Sequence, residues 1–284
     1  MRADLHVHTN ASDGQYSPSE VVVLARGFDL IAITDHDTID GIAPARAAAR
    51  AQGSPLIVAG IELSTAEDAG DIHMLGYFID PDDLIFQATL REFQQARLDR
   101  GRLMVERLAA SGVLIEWARV AAIAGDGAVG RPHIARALIE AGYVESVREA
   151  FERYIGNDAP AYVARKRLTP EGAIDLIHSA GGVAVLAHPG LVERWRTILS
   201  GLIVAGLDGV EVFHPSNDVP TRLDLRAWAL RHDLIMTGGS DFHGEKVKPG
   251  NALGSMAPPE GAVYALQTRA QRYQAKEKTQ QEDT

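Results

Sequence analysis

Seven short apolar runs, six of which end in or just before a histidine or carboxylate, constrain this chain more than any other feature. They are Asp4-Leu5-His6-Val7-His8, Leu30-Ile31-Ala32-Ile33-Thr34 entering Asp35-His36-Asp37, Leu56-Ile57-Val58-Ala59-Gly60-Ile61-Glu62, residues 72–79, residues 183–187 before His188, residues 209–213 before His214, and residues 234–237 before Gly238-Gly239-Ser240-Asp241-Phe242-His243. Near-continuous apolar runs of this length suit strands buried on both faces of a parallel sheet. Polar groups gathered at the C-terminal strand ends favour a closed parallel (β/α) barrel over an open doubly wound sheet. His73, early in its run, is the exception.

The connections read as helices. Ser17-Pro18-Ser19-Glu20 carries an N-cap, a proline at the first helical position and a capping-box glutamate, and an alanine-rich amphipathic stretch follows from Ile42. From Leu84 the strand pattern stops. Leu90, Phe93, Met104 and Leu108 recur at helical spacing, Ser146-Val147-Arg148-Glu149 is a second capping box, and Thr169-Pro170 reopens the alternation. The expected organisation is a discontinuous barrel, 1–83 and 166–266, a helical insertion or cap at 84–165, and a polar, frayed tail at 267–284. With 284 residues and 46% apolar composition, the chain can bury a large core.

In an extended segment, side chains two apart share a face, so His6 and His8 can converge on one point, as can Asp241 and His243. The candidate metal ligands are His6, His8, Asp13, His36, Glu62, His73, His188, Asp241 and His243, too many for one ion. There is no cysteine, so the ions must be held by imidazole and carboxylate. Mn²⁺ is the expected cofactor, two or three ions per chain, with Fe²⁺, Zn²⁺ and Mg²⁺ as alternatives. A lone histidine is more often structural than a ligand, and His178 and His232, away from strand ends, are read as packing or surface residues. Asp37 is read as orienting a ligand imidazole. A formal charge of −10 argues against duplex DNA or an anionic membrane as partner. No apolar run reaches a membrane span and no leader precedes His6, so a cytoplasmic protein, monomeric or a small homo-oligomer, is expected.

Taken together, Asp4-Leu5-His6-Val7-His8-Thr9, Thr34-Asp35-His36-Asp37, Gly60-Ile61-Glu62, Leu186-Ala187-His188-Pro189 and Ser240-Asp241-Phe242-His243 resemble the PHP (polymerase and histidinol phosphatase) superfamily. The resemblance covers 1 to about 80 and 168 to about 260. It implies a distorted seven-stranded α/β barrel, up to three divalent ions, and phosphoester hydrolysis. It further implies that His6, His8, Glu62 and Asp241 hold one ion, Glu62, His73 and His188 a second, and Asp13, His36 and His243 a third. Asp13 stands where some relatives have histidine, which makes that position harder and more anionic.

In the insertion, Gly130-Arg131-Pro132-His133 places a guanidinium and an imidazole at a helix N-terminus, a combination suited to a phosphate. Bland roles compete with this one: a surface carboxylate as partner for Arg131, and a solvated face for Arg97, Arg100 and Lys166. With Arg97 and Arg100 the segment is similar to the insert of PHP proteins that dephosphorylate nucleoside 3′,5′-bisphosphates, and of relatives that trim short RNA from the 5′ end. The expected activity is therefore release of the 3′-phosphate from such bisphosphates by water activated on the ions, with Arg131, His133 and Arg100 as substrate contacts. His188, His243 and His214 are candidates for the general acid. The alternatives are 5′-to-3′ hydrolysis of short oligoribonucleotides, histidinol phosphate hydrolysis, amide hydrolysis on a similar barrel, and a non-catalytic metal-holding module.

Overall fold

In a computed structural model of the chain, residues 1–67, 70–124, 129–157, 159–163 and 168–282 are described. The chain divides into two compact units, Met1–Gln87 with Arg167–Thr284, and Ala88–Lys166.

The first unit contains seven strands in the spatial order of the sequence, β1 (Ala3–Val7), β2 (Leu30–Ile33), β3 (Leu56–Glu67), β4 (Gly70–Tyr77), β5 (Val183–Leu186), β6 (Gly209–Phe213) and β7 (Ile235–Gly238). A parallel bridge between Val7 and Phe242 brings the segment after β7 back to β1, nearly closing the barrel. The interleaved helices are α1 (Pro18–Leu24), α2 (Ile42–Gln52), α7 (Pro170–Ser179), α8 (Trp195–Val204), α9 (Val219–Arg231) and α10 (Ala262–Glu282). The capping box predicted at Ser17 forms: its hydroxyl accepts from the Glu20 amide, and Glu20 accepts from the Ser17 amide.

One expectation fails. The barrel is not all parallel, because β4 runs antiparallel to both β3 and β5. Strands joined by a short connection pair as a hairpin, which needs no crossover helix. The reversal also accounts for His73. In an antiparallel strand the beginning lies at the end where parallel neighbours finish, and His73 pairs with Ser64, just past Glu62.

A second irregularity places the first histidine. Along β1 and β2, Asp4 pairs with Ile31 and Val7 with Ile33, so β1 spends an extra residue between them. Such a bulge re-aims side chains. Here the change falls between Leu5, packed with Leu30, Val58, Leu75, Tyr77 and Val185, and His6, which meets carboxylates.

The segment from Gln267, predicted to fray, continues helix α10. Val263, Leu266 and Ala270 join the apolar cluster of the strands, while Arg269 and Tyr273 bond Asp208. A helix with one narrow apolar stripe and otherwise polar residues looks unstructured by composition, yet is held by packing and these two bonds.

The second unit is helical, with α3 (Leu84–Ala110, which begins in the first unit), α4 (Trp117–Ala124), α5 (Arg131–Glu140) and α6 (Val147–Ala150), the last continuing into a π-turn at Phe151–Ile155. Its own core gathers Met104, Leu108, Val120, Ile134, Leu138 and Ile155. Lys166, read as solvated, lies outside the described residues. Among the described residues, no helix is long and apolar enough to cross a membrane.

Candidate metal centre

The buried Glu62 carboxylate is the hub of the polar cluster. Its Oε2 lies 3.1 Å from His6 Nε2, 3.1 Å from His8 Nε2 and 3.4 Å from His36 Nδ1, while Oε1 lies 2.9 Å from His73 Nδ1 and 2.8 Å from His188 Nε2. Each oxygen thus faces a different set of imidazoles, as a bridging carboxylate requires. Asp241 Oδ1 sits 3.6 Å from His6 Nε2 and 3.5 Å from His8 Nε2. At the solvent edge, half-exposed Asp13 approaches His243 Nε2 at 3.2 Å and His36 Nε2 at 3.8 Å. All nine residues singled out as ligand candidates therefore come together. His8, Asp13, His36 and His243 offer donor atoms within 4.8 Å of one another, as do His6, His8 and Asp241, and His36, Glu62 and His73.

The donor set fits divalent ions by a further test, the state of the ring nitrogens. Both nitrogens of His8, Nδ1 of His36 and Nδ1 of His188 are buried and lack a hydrogen-bond partner among the described residues. Buried polar atoms left unpaired cost about 1–3 kcal/mol each, unless a ligand completes them. Burial pushes the pKa of His8 and His188 down and that of His36 to about 4, so these rings are neutral and carry lone pairs. Burial also opposes charge on His6, but Glu211, Glu62 and Asp241 outweigh it and raise its pKa well above the usual value. Glu62 and Asp241, despite burial, are held well below the carboxylate range by the surrounding imidazoles.

Backbone strain concentrates in the same place. His188 (φ 27°), Asp241 (φ 53°) and Asp37 (φ 54°) occupy left-handed conformations that cost non-glycine residues free energy. Asp37 accepts from the Ser64 amide and so ties the loop after β2 to β3. Gly239 permits the close approach of β7 to β1, since a Cβ there would fall 2.4 Å from the His6 amide nitrogen. Two buried carboxylates staple the loops: Asp4 accepts from the Ser240 amide and hydroxyl and from the Gly254 amide, and Asp35 accepts from the Thr9 amide and hydroxyl and from the Ser12 hydroxyl.

The three imidazoles considered as proton donors are all engaged. His188 contacts Glu62, and His243 Nδ1 lies 3.0 Å from the Asp241 carbonyl. His214 Nδ1 accepts from the Ser216 amide, which puts its proton on Nε2, and Nε2 donates to Asp241 Oδ2 at 3.1 Å. His214 thus orients Asp241.

Two neighbours escaped the sequence reading. Lys248 Nζ contacts Asp241 Oδ2, and Glu211, fully buried in β6, contacts His6 Nδ1 at 2.9 Å. Glu211 had the signal that marked Glu62, a carboxylate in an apolar strand, but it lies inside the run. Elsewhere His178 bonds Asp208, and His232 stacks on Trp228, in line with packing roles.

In the helical unit, the Arg131 guanidinium bonds Asn157 Oδ1 at 2.9 Å and lies 5.1 Å from the Phe151 ring centre and 5.9 Å from that of Tyr162. Arg100 approaches the same Tyr162 ring at 5.9 Å and donates to the Val163 carbonyl. His133 Nδ1 accepts from the Gly130 amide as a helix cap, so its Nε2 bears the hydrogen.

The PHP domain profile matches residues 4–156. The chain is 37% identical over 257 residues to the 3′,5′-nucleoside bisphosphate phosphatase of Chromobacterium violaceum, covering 84% of this chain and 86% of that protein. It is 36% identical over 247 residues to the 5′-3′ exoribonuclease Rnm of Escherichia coli, covering 84% of each. Among solved structures, a candidate metal-dependent phosphoesterase from Bifidobacterium adolescentis superposes with a TM-score of 0.77 at 35% identity, covering 94% of this chain and 96% of the other. Barrel, clustered donors and sequence agree: the chain belongs to the PHP domain family, as a phosphoester hydrolase.

Proposed function

We propose that the chain removes the 3′-phosphate from nucleoside 3′,5′-bisphosphates, leaving nucleoside 5′-monophosphates, with Mn²⁺ as the resident ion. The observation that carries the metal-dependent reading is the division of Glu62 between two sets of imidazoles, with ring nitrogens beside it that have no partner among the described residues. We assign one ion to His6, His8, Glu62 and Asp241, a second to Glu62, His73 and His188, and a third to Asp13, His36 and His243. Ions held there would polarise the phosphoryl oxygens and make water a competent nucleophile at neutral pH.

The chain's own residues do the rest. The buried carboxylates and imidazoles are fixed in place by the fold, so the ion positions are preset before substrate arrives. His214 holds Asp241, and Asp4 and Asp35 hold the loops on which the imidazoles ride. A bisphosphate carries a second anion that a barrel site alone leaves unmatched. We assign the contacts to that second phosphate to residues of the insertion, where Arg100 and Arg131 share the Tyr162 ring and His133 Nδ1 accepts from an amide, leaving its Nε2–H as a donor.

Similarity to an exoribonuclease nearly equal to that to the phosphatase supports a second reading, 5′-to-3′ hydrolysis of short RNA. An assay of nucleoside bisphosphates, 5′-phosphorylated oligoribonucleotides and a plain aryl phosphate, with Mn²⁺ and after chelation, separates them. The bisphosphate is expected to give the highest kcat/KM, and chelation to abolish every activity. Arg131→Ala should raise KM for the bisphosphate at least ~10-fold, as loss of a charge-assisted contact would, and leave the aryl phosphate unchanged. Equal changes for both would remove the phosphate grip.

A further inference from the structure

The structure assigns to Glu211 the task of fixing the His6 ring so that Nε2 carries the lone pair a metal ion needs. Glu211 is completely buried in β6, in a run otherwise made of glycine, valine and phenylalanine. An isolated buried carboxylate is costly unless each oxygen is matched. Both are matched here: Oε1 faces His6 Nδ1 at 2.9 Å, and Oε2 accepts from the His188 amide at 2.8 Å. One side chain thereby ties the first strand to the turn after β5, at two of the proposed ligands.

The backbone is built for this contact from both sides. The extra residue in β1 falls between Asp4 and Val7, around His6. The pairing of β6 with β7 also slips, between Glu211 and Phe213. Immediately beyond, Asn217 donates to the carbonyls of Glu211 and Val212 and accepts from the Gly190 amide, locking β6 to the His188 turn a second time. His6, Glu211 and His214 could be read as another ion position. Their hydrogen bonds argue otherwise, because Glu211 Oε2 is taken by an amide and His214 Nε2 points its proton at Asp241.

The chemistry requires a carboxylate. Two N–H donors converge on Glu211, so both of its terminal atoms must accept. Glutamine has one acceptor and one donor. With its oxygen on the His188 amide, its NH₂ group would face His6 Nδ1, forcing the proton to Nε2 and removing the lone pair aimed at Glu62 and the ion. Carboxylates behind metal-bound imidazoles act in this way, and their loss typically costs ~10–100-fold in metal affinity. This inference rests on His6 being a ligand, as proposed above, and its test separates the two claims.

The test uses the full-length protein loaded with Zn²⁺, which is diamagnetic, and reads imidazole ¹⁵N shifts by NMR, with Zn²⁺ and Mn²⁺ affinity from chelator competition. Wild-type protein is expected to show His6 protonated at Nδ1 and ligating through Nε2. Glu211→Gln should weaken binding of the ion held by His6 ~10–100-fold and move the His6 proton to Nε2, and Glu211→Asp should restore the Nδ1 proton in part. A role in stability alone would lower Tm while leaving tautomer and affinity as in wild type, and that result overturns the assignment. Should Glu211→Gln fail to fold, the wild-type spectrum decides: a His6 ring ligating through Nδ1, or protonated at Nε2 with metal bound, excludes the role. Wild-type protein that takes up no ion would instead overturn the ligand assignment of His6 itself, and this inference with it.

Discussion

Two buried carboxylates in the barrel unit, Glu62 and Asp208, are surrounded by similar groups and yet are opposites. Immediately before β6, Asp208 accepts from Arg269 Nη1 (2.6 Å) and the Tyr273 hydroxyl (2.8 Å) through Oδ1, and from His178 Nε2 (2.7 Å) and the Ala184 amide (3.0 Å) through Oδ2. Every acceptor position is filled by a donor, and the cluster is finished. Around Glu62, ring nitrogens outnumber the hydrogen-bond partners available to them, and several have none among the described residues. Burial and residue type are alike in the two places. What distinguishes a site from a clasp is whether hydrogen bonding closes without a further cation.

Glu62→Gln should break this contrast most severely. The substitution removes the charge shared by five imidazoles and one of two accepting atoms. Activity is expected to fall at least ~10³-fold, at the upper end of losses from removing one electrostatic group, with metal content by mass spectrometry dropping by more than one ion per chain. Retention of full metal content would remove Glu62 as the bridge. Wild-type protein should also gain about 2.7 kcal/mol of stability at Mn²⁺ a hundredfold above its Kd, and the variant much less.

The acid limb of stability should separate the two ends next. Burial holds the His36 pKa down to about 4, against an ordinary imidazole value of 6.5. A group protonated in the unfolded chain but not in the folded one makes stability fall as pH drops from 6.5 to 4. At 1.36 kcal/mol per unit, this amounts to up to about 3 kcal/mol in metal-free protein. Asp208 behaves in the usual carboxylate manner: burial raises its pKa, but His178, the Ala184 amide and Tyr273 outweigh it and lower it. Its contribution is therefore complete above pH about 4 and is lost only below. Urea unfolding of metal-free His36→Asn between pH 4 and 6.5 should show a flatter limb than wild type. An unchanged limb would mean that His36 is not held neutral by its surroundings.

Much of the barrel and its site was legible because strands that are apolar on both faces seldom finish in His, Asp or Glu without a reason. That pattern located His6, His8, His36 and His188 around Glu62, while His73, early in its run, stood outside it. It carried no information on strand direction, so β4 read as parallel, and the run that reads as ending at Glu62 in fact continues as β3 to Glu67. Glu211 was hidden by position, as a mid-strand acid ordinarily signals an outward face. The polar composition of α10 concealed an anchor made of three apolar residues and the Asp208 bonds.

Asp208→Asn tests the finished cluster. Asparagine keeps the shape but turns one acceptor into a donor facing other donors, at a cost of about 2 kcal/mol. The loss of stability on urea unfolding should be the same with and without Mn²⁺, and kcat should hold in the protein that remains folded. A metal-dependent loss would tie this clasp to the site after all.

The smallest expected effect concerns cations already present at each end. Arg269 completes Asp208, where no ion is needed, so Arg269→Met should destabilise, by no more than about 1–2 kcal/mol for a partly exposed partner. Lys248 stands against Asp241 Oδ2, on the carboxylate whose Oδ1 faces His6 and His8. Its ammonium repels an incoming divalent ion and draws on the same negative charge, while its side chain is 38% exposed and screened by solvent. Lys248→Met should therefore tighten Mn²⁺ binding by a few-fold, about 1 kcal/mol or less, as read by chelator competition, with little change in Tm of the metal-free protein. Weaker binding in this variant would mean that Lys248, like His214, holds Asp241 in place, and the two cations would then play the same part at both ends of the barrel.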